Sequence, residues 1–305
     1  MPELSFVTLD VFTQRRFAGN PLAVVSIPNG QDVTTEQMQE IAREFNLSET
    51  VFLHEGSKTG NGLTEWRVRI FMTDHELPFA GHPTIGTACY ALGTLANNAS
   101  KGRLLCKAGP IEVDYGSGLA KASIPHNVHI HKQAVFSEED VYRLQPNLSG
   151  KALGGIDIVS PVKGMTFVCV GLLDLETLGL VETTGVKPMP QLDDEWNFGF
   201  AGSYFYVHTG ESRVDGDRKV QLRTRMLEGT LEDPATGSAA CALSALLAMK
   251  RKKSKVSFEI TQAVEMGRQS DIGVCVALNG DRASVKSIEL SGSSVRVMSG
   301  SVQFD

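Results

Sequence analysis

The sequence predicts an α+β fold of two pseudo-symmetric domains, each a curved or barrel-like mixed sheet wrapped around a central helix. Three observations predict it. First, a segment recurs about half a chain length away. His82-Pro83-Thr84-Ile85-Gly86-Thr87-Ala88-Cys89-Tyr90-Ala91-Leu92 aligns without a gap on Asp233-Pro234-Ala235-Thr236-Gly237-Ser238-Ala239-Ala240-Cys241-Ala242-Leu243. Second, short runs rich in Val, Ile and Phe, bounded by Gly, Pro or Asn, greatly outnumber helical patterns. Third, the second copy continues through Ala239, Ala240, Cys241, Ala242, Leu243, Ala245, Leu246, Leu247 and Ala248, apolar nearly all round. A helix of that composition is buried on every side, and its small residues admit close backbone approach.

The elements follow in order. Strands are expected at 5–12, 22–27, 50–53, 66–72 and 111–113. A helix over 35–45 carries Met38, Ile41, Ala42 and Phe45 on one face and meets a stop at Asn46. The first copy of the repeat starts a helix over 83–95. A polar, His-rich stretch at 125–133 reads as a linker. Beyond it, strands are expected at 157–162, 166–170, 204–208 and 220–226, then a helix over 237–249, a strand at 258–260 and several terminal strands. The expected domains are 1–124 and 125–289, with 290–305 a terminal strand packing back on the first domain.

At 305 residues, 42% hydrophobic and 21% charged, the chain is a globular protein of about two domains. Its net charge of −6 argues against a nucleic-acid partner, which needs a basic face. Lys250-Arg251-Lys252-Lys253-Ser254-Lys255 is read as a solvated helix end favoured by the helix dipole. The five cysteines form no C-x-x-C pair and lie in apolar stretches, so buried thiols in a reducing, cytoplasmic compartment are expected. No apolar run approaches the ~20 residues of a membrane span.

Three sites carry candidate chemistry. Glu49 precedes the apolar run Thr50-Val51-Phe52-Leu53, where desolvation would raise its pKa toward that of a general acid/base. Taken alone, such a glutamate is more often a solvent-facing strand end. His82 sits at a helix start, where the dipole favours neutral imidazole; a lone His there is more often a cap or core residue. Asp233-Pro234 reads as a well-made helix N-terminus, with Asp capping and Pro in the first turn. Amides near Gly81–His82 and Gly237–Ser238 would suit a carboxylate or phosphate. His75, Glu76 and His82 lack zinc-helix spacing, and neither a phosphate-binding loop nor a dinucleotide fingerprint is present. A carboxylate, an imidazole and a second carboxylate beside two helix starts suit proton abstraction and return on a small anionic substrate, with no metal and no cofactor.

Phe17-Ala18-Gly19-Asn20-Pro21-Leu22-Ala23-Val24, Ser48-Glu49-Thr50-Val51-Phe52, Glu76-Leu77-Pro78-Phe79-Ala80-Gly81-His82-Pro83-Thr84 and Glu232-Asp233-Pro234-Ala235-Thr236-Gly237-Ser238-Ala239 resemble, in this order, the motifs of the PhzF family. The segment from Gln262 to Ser270 resembles a further block, except that Gly is expected at Ala263 and Pro at Gln269. The resemblance implies a diaminopimelate-epimerase-like fold, a homodimer and an isomerase acting on a trans-2,3-dihydro-3-hydroxyanthranilate-like carboxylate. It implies Glu49 as proton-shuttling acid/base, His82 and Asp233 as catalytic partners, and Gly81, Gly237, Ser238 and Asn20 as substrate-binding residues. Related racemases use paired cysteines at the two helix starts; none stands here. Two alternatives remain: a non-catalytic binding protein on the same fold, and an epimerase or racemase with non-thiol bases.

Overall fold

A computed structural model describes residues 2–60, 62–133, 135–196, 199–214 and 217–305, with backbone alone at 213, 214, 217 and 218. The chain forms two compact units: Met1–Ile124 with Leu290–Asp305, and Pro125–Glu289. In the first half the elements are β1 (Glu3–Val11), β2 (Asn20–Ile27), α1 (Thr35–Phe45), β3 (Thr50–His54), β4 (Ser57–Lys58), β5 (Thr64–Phe71), β6 (Glu76–Leu77), α2 (Gly81–Tyr90), β7 (Lys101–Cys106), β8 (Gly109–Gly116) and β9 (Leu119–Ser123). There follow β10 (His129–Ile130), α3 (Glu138–Leu144), β11 (Leu153–Val162), β12 (Met165–Leu172), α4 (Leu175–Gly179), β13 (Phe200–Val214), β14 (Asp217–Glu228), β15 (Leu231–Asp233), α5 (Gly237–Arg251), β16 (Lys255–Gln262), β17 (Ser270–Leu278) and β18 (Val285–Gln303).

In the first unit β18 pairs with β1, β1 with β2, β2 in parallel with β3, and β3 with β5. β5 then runs parallel to β7, β7 pairs with β8, and β8 with β9. β9 pairs with β18, so the mixed sheet closes into a barrel. Inside it lies α2, packed against β1, β2, β3, β7, β8 and β9 and buried from His82 to Cys89. Gly86 makes that approach possible: a Cβ there would stand 2.7 Å from both Leu22 and Val11 side chains. The opposite sheet face packs Leu4, Val25, Ile27, Phe52 and Phe71 against Met38, Ile41 and Ala42 of α1. Burial on both faces explains why β2 and β3 read as continuous apolar runs. Thr34 and Gln37 form a capping box at the start of α1, and Asn46 ends it in the left-handed region.

The second unit repeats this plan strand for strand. β11 pairs with β12, β12 lies parallel to β13, and β13 pairs with β14. β14 is joined by the short β15 and, in parallel, by β16, which pairs with β17. α5 packs against β11, β12, β16 and β17, strands from both ends of this order, so the sheet curls around it. Val141, Leu148, Leu178 and Val181 cover the outer face over Val168, Val170 and Phe205.

Three expectations need correction. The stretch at 125–133 is no linker: β10 lies within it and pairs His129 with Ser160 and Ile130 with Val159. The helix expected over 83–95 starts earlier, at Gly81, and its last turn, Ala91–Leu95, widens to a π-helix. Finally, Cys89, Cys169 and Cys241 are buried thiols, but Cys106 and Cys275 are only half-buried. Among the described residues no helix is long and apolar enough to cross a membrane.

Candidate active site

In the first unit, parallel pairing of Ala23 with Thr50 brings Asn20 and Glu49 to the same end of neighbouring strands. The loop before Asn20 is shaped by Asp10, whose Oδ2 accepts the Phe17 N–H at 2.6 Å, and by Gly19 at φ +67°. A Cβ on Gly19 would lie 2.3 Å from the Val11 carbonyl oxygen, so only glycine fits. Asn20 is buried behind that turn.

α2 begins beside Glu49. His82, only 5% exposed, holds its Nδ1 3.5 Å from Oε2 of Glu49, itself 16% exposed. Burial raises the Glu49 pKa above the ordinary carboxylate value, opposed by a hydrogen bond from the Ser48 side chain. The first helical bond of α2 runs from Thr84 N–H to Ala80 C=O, and Ala80 offers no side-chain cap. The Gly81 and His82 amides thus precede the helical ladder at a positive dipole end. His75 pairs with Asp74, and Glu76 with Arg69.

In the second unit Asp233 departs from the expected geometry. It does not cap α5, and Pro234 is not in its first turn. Asp233 ends β15, paired with Met226, and α5 starts only at Gly237. Pro suits both an extended approach and a first helical turn, so the shared His/Asp-Pro pattern does not fix the helix start. The Asp233 carboxylate accepts the Thr236 hydroxyl at 2.6 Å instead. A buried network behind it was not read from sequence. The Gln262 Nε2 donates to the Asp233 carbonyl (2.8 Å) and to Thr236 Oγ1 (3.1 Å), while its Oε1 accepts from Thr236 N–H and from the Tyr204 hydroxyl. Gly237 is buried and Ser238 half-buried at the helix start, where Thr236 gives no side-chain cap.

The strand registers revise the internal equivalence. Ile70 pairs with Leu77 and Phe71 with Glu76, as Met226 pairs with Asp233 and Leu227 with Glu232. Trp66 pairs with Leu104 as Leu222 pairs with Ile260. Both central helices start with glycine, Gly81 and Gly237. The counterpart of His82 is therefore Ser238, and that of Asp233 is Leu77. The same registers align Arg69–Glu76 with Arg225–Glu232. Each pair is a two-pronged bridge, with bonds of 2.9 and 2.9 Å in the first and 2.8 and 2.7 Å in the second. Arg69 also donates to Thr35 of α1, and Arg225 to the Leu178 and Val181 carbonyls at the end of α4. The recurring R-x-R and following Glu were a signal in the sequence for these braces.

Gln262 leads into Ala263, where Gly was expected. Ala263 is fully buried at φ +61°, in the left-handed region that favours glycine. Gln269, where Pro was expected, is exposed and bonds Asp271. A groove of about 1140 Å³ lined by Leu53, His54, Trp66, Leu95 and Lys101 lies at the far end of β3 and α2, away from Glu49 and His82.

Two closely similar units, each with a mixed sheet around a buried helix, define the diaminopimelate-epimerase-like class of fold. A family model for phenazine biosynthesis-like proteins, PhzC-PhzF, matches residues 9–300. An uncharacterised isomerase of Mesorhizobium japonicum is 33% identical, over 98% of this chain and 99% of its own. The trans-2,3-dihydro-3-hydroxyanthranilate isomerase of Pseudomonas chlororaphis is 32% identical, over 97% and 98%. Among solved structures, a PhzF-family protein of Bacillus anthracis superposes with TM-score 0.74 at 22% identity, over 99% and 100%. A hydroxyproline epimerase of Agrobacterium vitis shares the fold at TM-score 0.58 and 14% identity, over 99% and 91%. The chain belongs to the PhzC-PhzF family and is an isomerase.

Proposed function

We propose that this isomerase moves a proton between carbons of a small carboxylate substrate similar to trans-2,3-dihydro-3-hydroxyanthranilate, without a cofactor. The observation that carries the reading is the desolvated Glu49 carboxyl beside the buried His82 imidazole at a helix start. A raised carboxyl pKa brings such a group closer to the match a general acid/base needs. In this reading Glu49 removes a proton from one carbon and returns it to another. His82 hydrogen-bonds the polar group on which charge develops, the amides of Gly81 and His82 receive the substrate carboxylate, and Asn20 orients it. In the second unit we propose Asp233 as a catalytic residue and Gly237 and Ser238 as substrate-binding residues.

The internal equivalence supports one base in preference to two. Ser203, the counterpart of Thr50, pairs with Leu227 as Thr50 pairs with Phe71. The residue before it, matching Glu49, is Gly202, which carries no acid/base group. A two-base racemase would need proton carriers on both faces of the reacting carbon; an isomerase returning the proton on the same face needs one. We propose a homodimer as the working assembly, which the mass measured by light scattering checks.

Incubation in deuterated water with dihydrohydroxyanthranilate and a panel of cyclic and acyclic amino acids tests the reading. Mass spectrometry should find one deuterium at the new carbon position of the isomerised product. Inversion at a single stereocentre with no shift of a double bond would overturn it in favour of an epimerase. Absence of turnover across the panel would count for a binding protein.

A further inference from the structure

Among the described residues one group of metal-ligating side chains converges: His129, His131 and Asp193, their ligand atoms all within 4.8 Å of one another. We propose that these three residues of the second unit bind a divalent transition ion of the zinc class, with water completing a four-coordinate shell, and so fasten the segment before β13 to β10. The site shares no residue with Glu49, His82 and Asp233, and its ion takes no part in proton transfer.

The geometry fits the ion. His129 and His131 are two apart on an extended segment, so their rings project to one face. Asp193 reaches them from the segment ahead of β13. His129 Nε2 lies 2.9 Å from Asp193 Oδ2, and His131 Nδ1 lies 3.9 Å from Asp193 Oδ1. Tetrahedral zinc with bonds of about 2.0–2.1 Å sets its ligands roughly 3.3 Å apart. The two observed separations straddle that value, and the three ligand atoms lie within 4.8 Å of one another.

The surroundings prepare the ligands. His131 Nδ1 accepts the Asp193 backbone N–H at 3.2 Å, so the ring proton is on Nε2. That Nε2–H donates to Ser160 Oγ at 2.9 Å, and Ser160 Oγ shares a further hydrogen bond with Thr166 Oγ1 at 2.8 Å. This second shell fixes the tautomer that aims the Nδ1 lone pair at the cluster, as ligating histidines require. His129 stacks on Trp196 with centroids 4.5 Å apart and planes 10° from parallel. Metal entry costs the long Asp193 N–H bond to His131 and displaces the proton shared by His129 and Asp193.

Titration of the full chain with cobalt(II), after exhaustive chelation, tests the site. The expected result is one equivalent with the intense visible bands of four-coordinate cobalt, displaced by zinc, with quenched tryptophan fluorescence. His129→Ala and Asp193→Asn should each weaken binding at least tenfold, and Ser160→Ala should weaken it less. Trp196→Phe should abolish the fluorescence response and leave the cobalt bands. No bands at millimolar cobalt, or a stoichiometric site untouched by His129→Ala and Asp193→Asn, would overturn the proposal. So would six-coordinate cobalt bands.

Discussion

Glu49 and Gly202 stand at the same place in two copies of one topology: Glu49 precedes Thr50, which pairs with Phe71, and Gly202 precedes Ser203, which pairs with Leu227. The duplication has been broken at the position where chemistry is proposed. One copy carries a carboxyl group forced into a poorly solvated setting; the other carries a hydrogen atom.

That setting has a thermodynamic sign. Because burial raises the Glu49 pKa in the folded state, ionising it opposes folding. The penalty is fully present above the folded pKa and is relieved as pH falls through it toward the ordinary carboxylate value. Glu49→Gln should therefore have an equal or higher melting temperature at pH 7, with the advantage shrinking on acidification. Thermal scans from pH 4 to 8 check this; a variant clearly less stable at pH 7 would make Glu49 a structural ion-pair partner.

The two arginine–glutamate braces differ in burial, and their losses should differ with it. Arg225 and Glu232 are 8% and 10% exposed, Arg69 and Glu76 both 17%. Removing one member of a buried pair costs about 3–5 kcal/mol, since the other charge is stranded. Arg225→Ala should approach that figure by urea denaturation, and Arg69→Ala should cost less. Arg69, against an opposing effect of burial, lowers the Glu76 pKa, with Lys107 helping. The stability contributed by Glu76 is thus present above the ordinary carboxylate pKa and lost as pH falls through the lowered folded value. Glu76→Gln should remove that acid sensitivity.

Ala263 offers a contrast between strain and burial. Its left-handed backbone costs roughly 1–2 kcal/mol for a residue with a Cβ. Replacing it with glycine forfeits about 0.8 kcal/mol of methyl burial and about 0.5–1 kcal/mol of chain entropy. Ala263→Gly should thus fall within about 1 kcal/mol of the parent. Ala240→Gly, at a fully buried position of α5 with no strain to release, should be clearly destabilising.

The fold class was legible because both buried helices and both-face-buried strands leave strong apolar signals. α1 ran over the residues its periodicity and Asn46 indicated. The short α3 and α4 left too little pattern to read, and β10 was obscured by its polar histidines. The ungapped repeat revealed a duplication but misaligned its helix starts, because Pro83 lies inside α2 while Pro234 precedes α5. The true register was carried by Arg69–Glu76 and Arg225–Glu232, whose meaning depends on strand pairing. Glu49 and His82 were named from local context, and the structure brings them together. The Gln262 network and the His129, His131 and Asp193 cluster join residues far apart in sequence, beyond the reach of any local pattern.

Deuterium transfer by Glu49→Gln, set against the parent protein on the same substrate, tests the central claim most directly. A positioned acid/base contributes about 10²–10⁴-fold, so kcat/KM for both isomerisation and exchange should fall by at least 10²-fold, with the fold and the melting temperature retained. Exchange within a few-fold of the parent would contradict the account, because the carboxyl group on which it rests would not be carrying the proton.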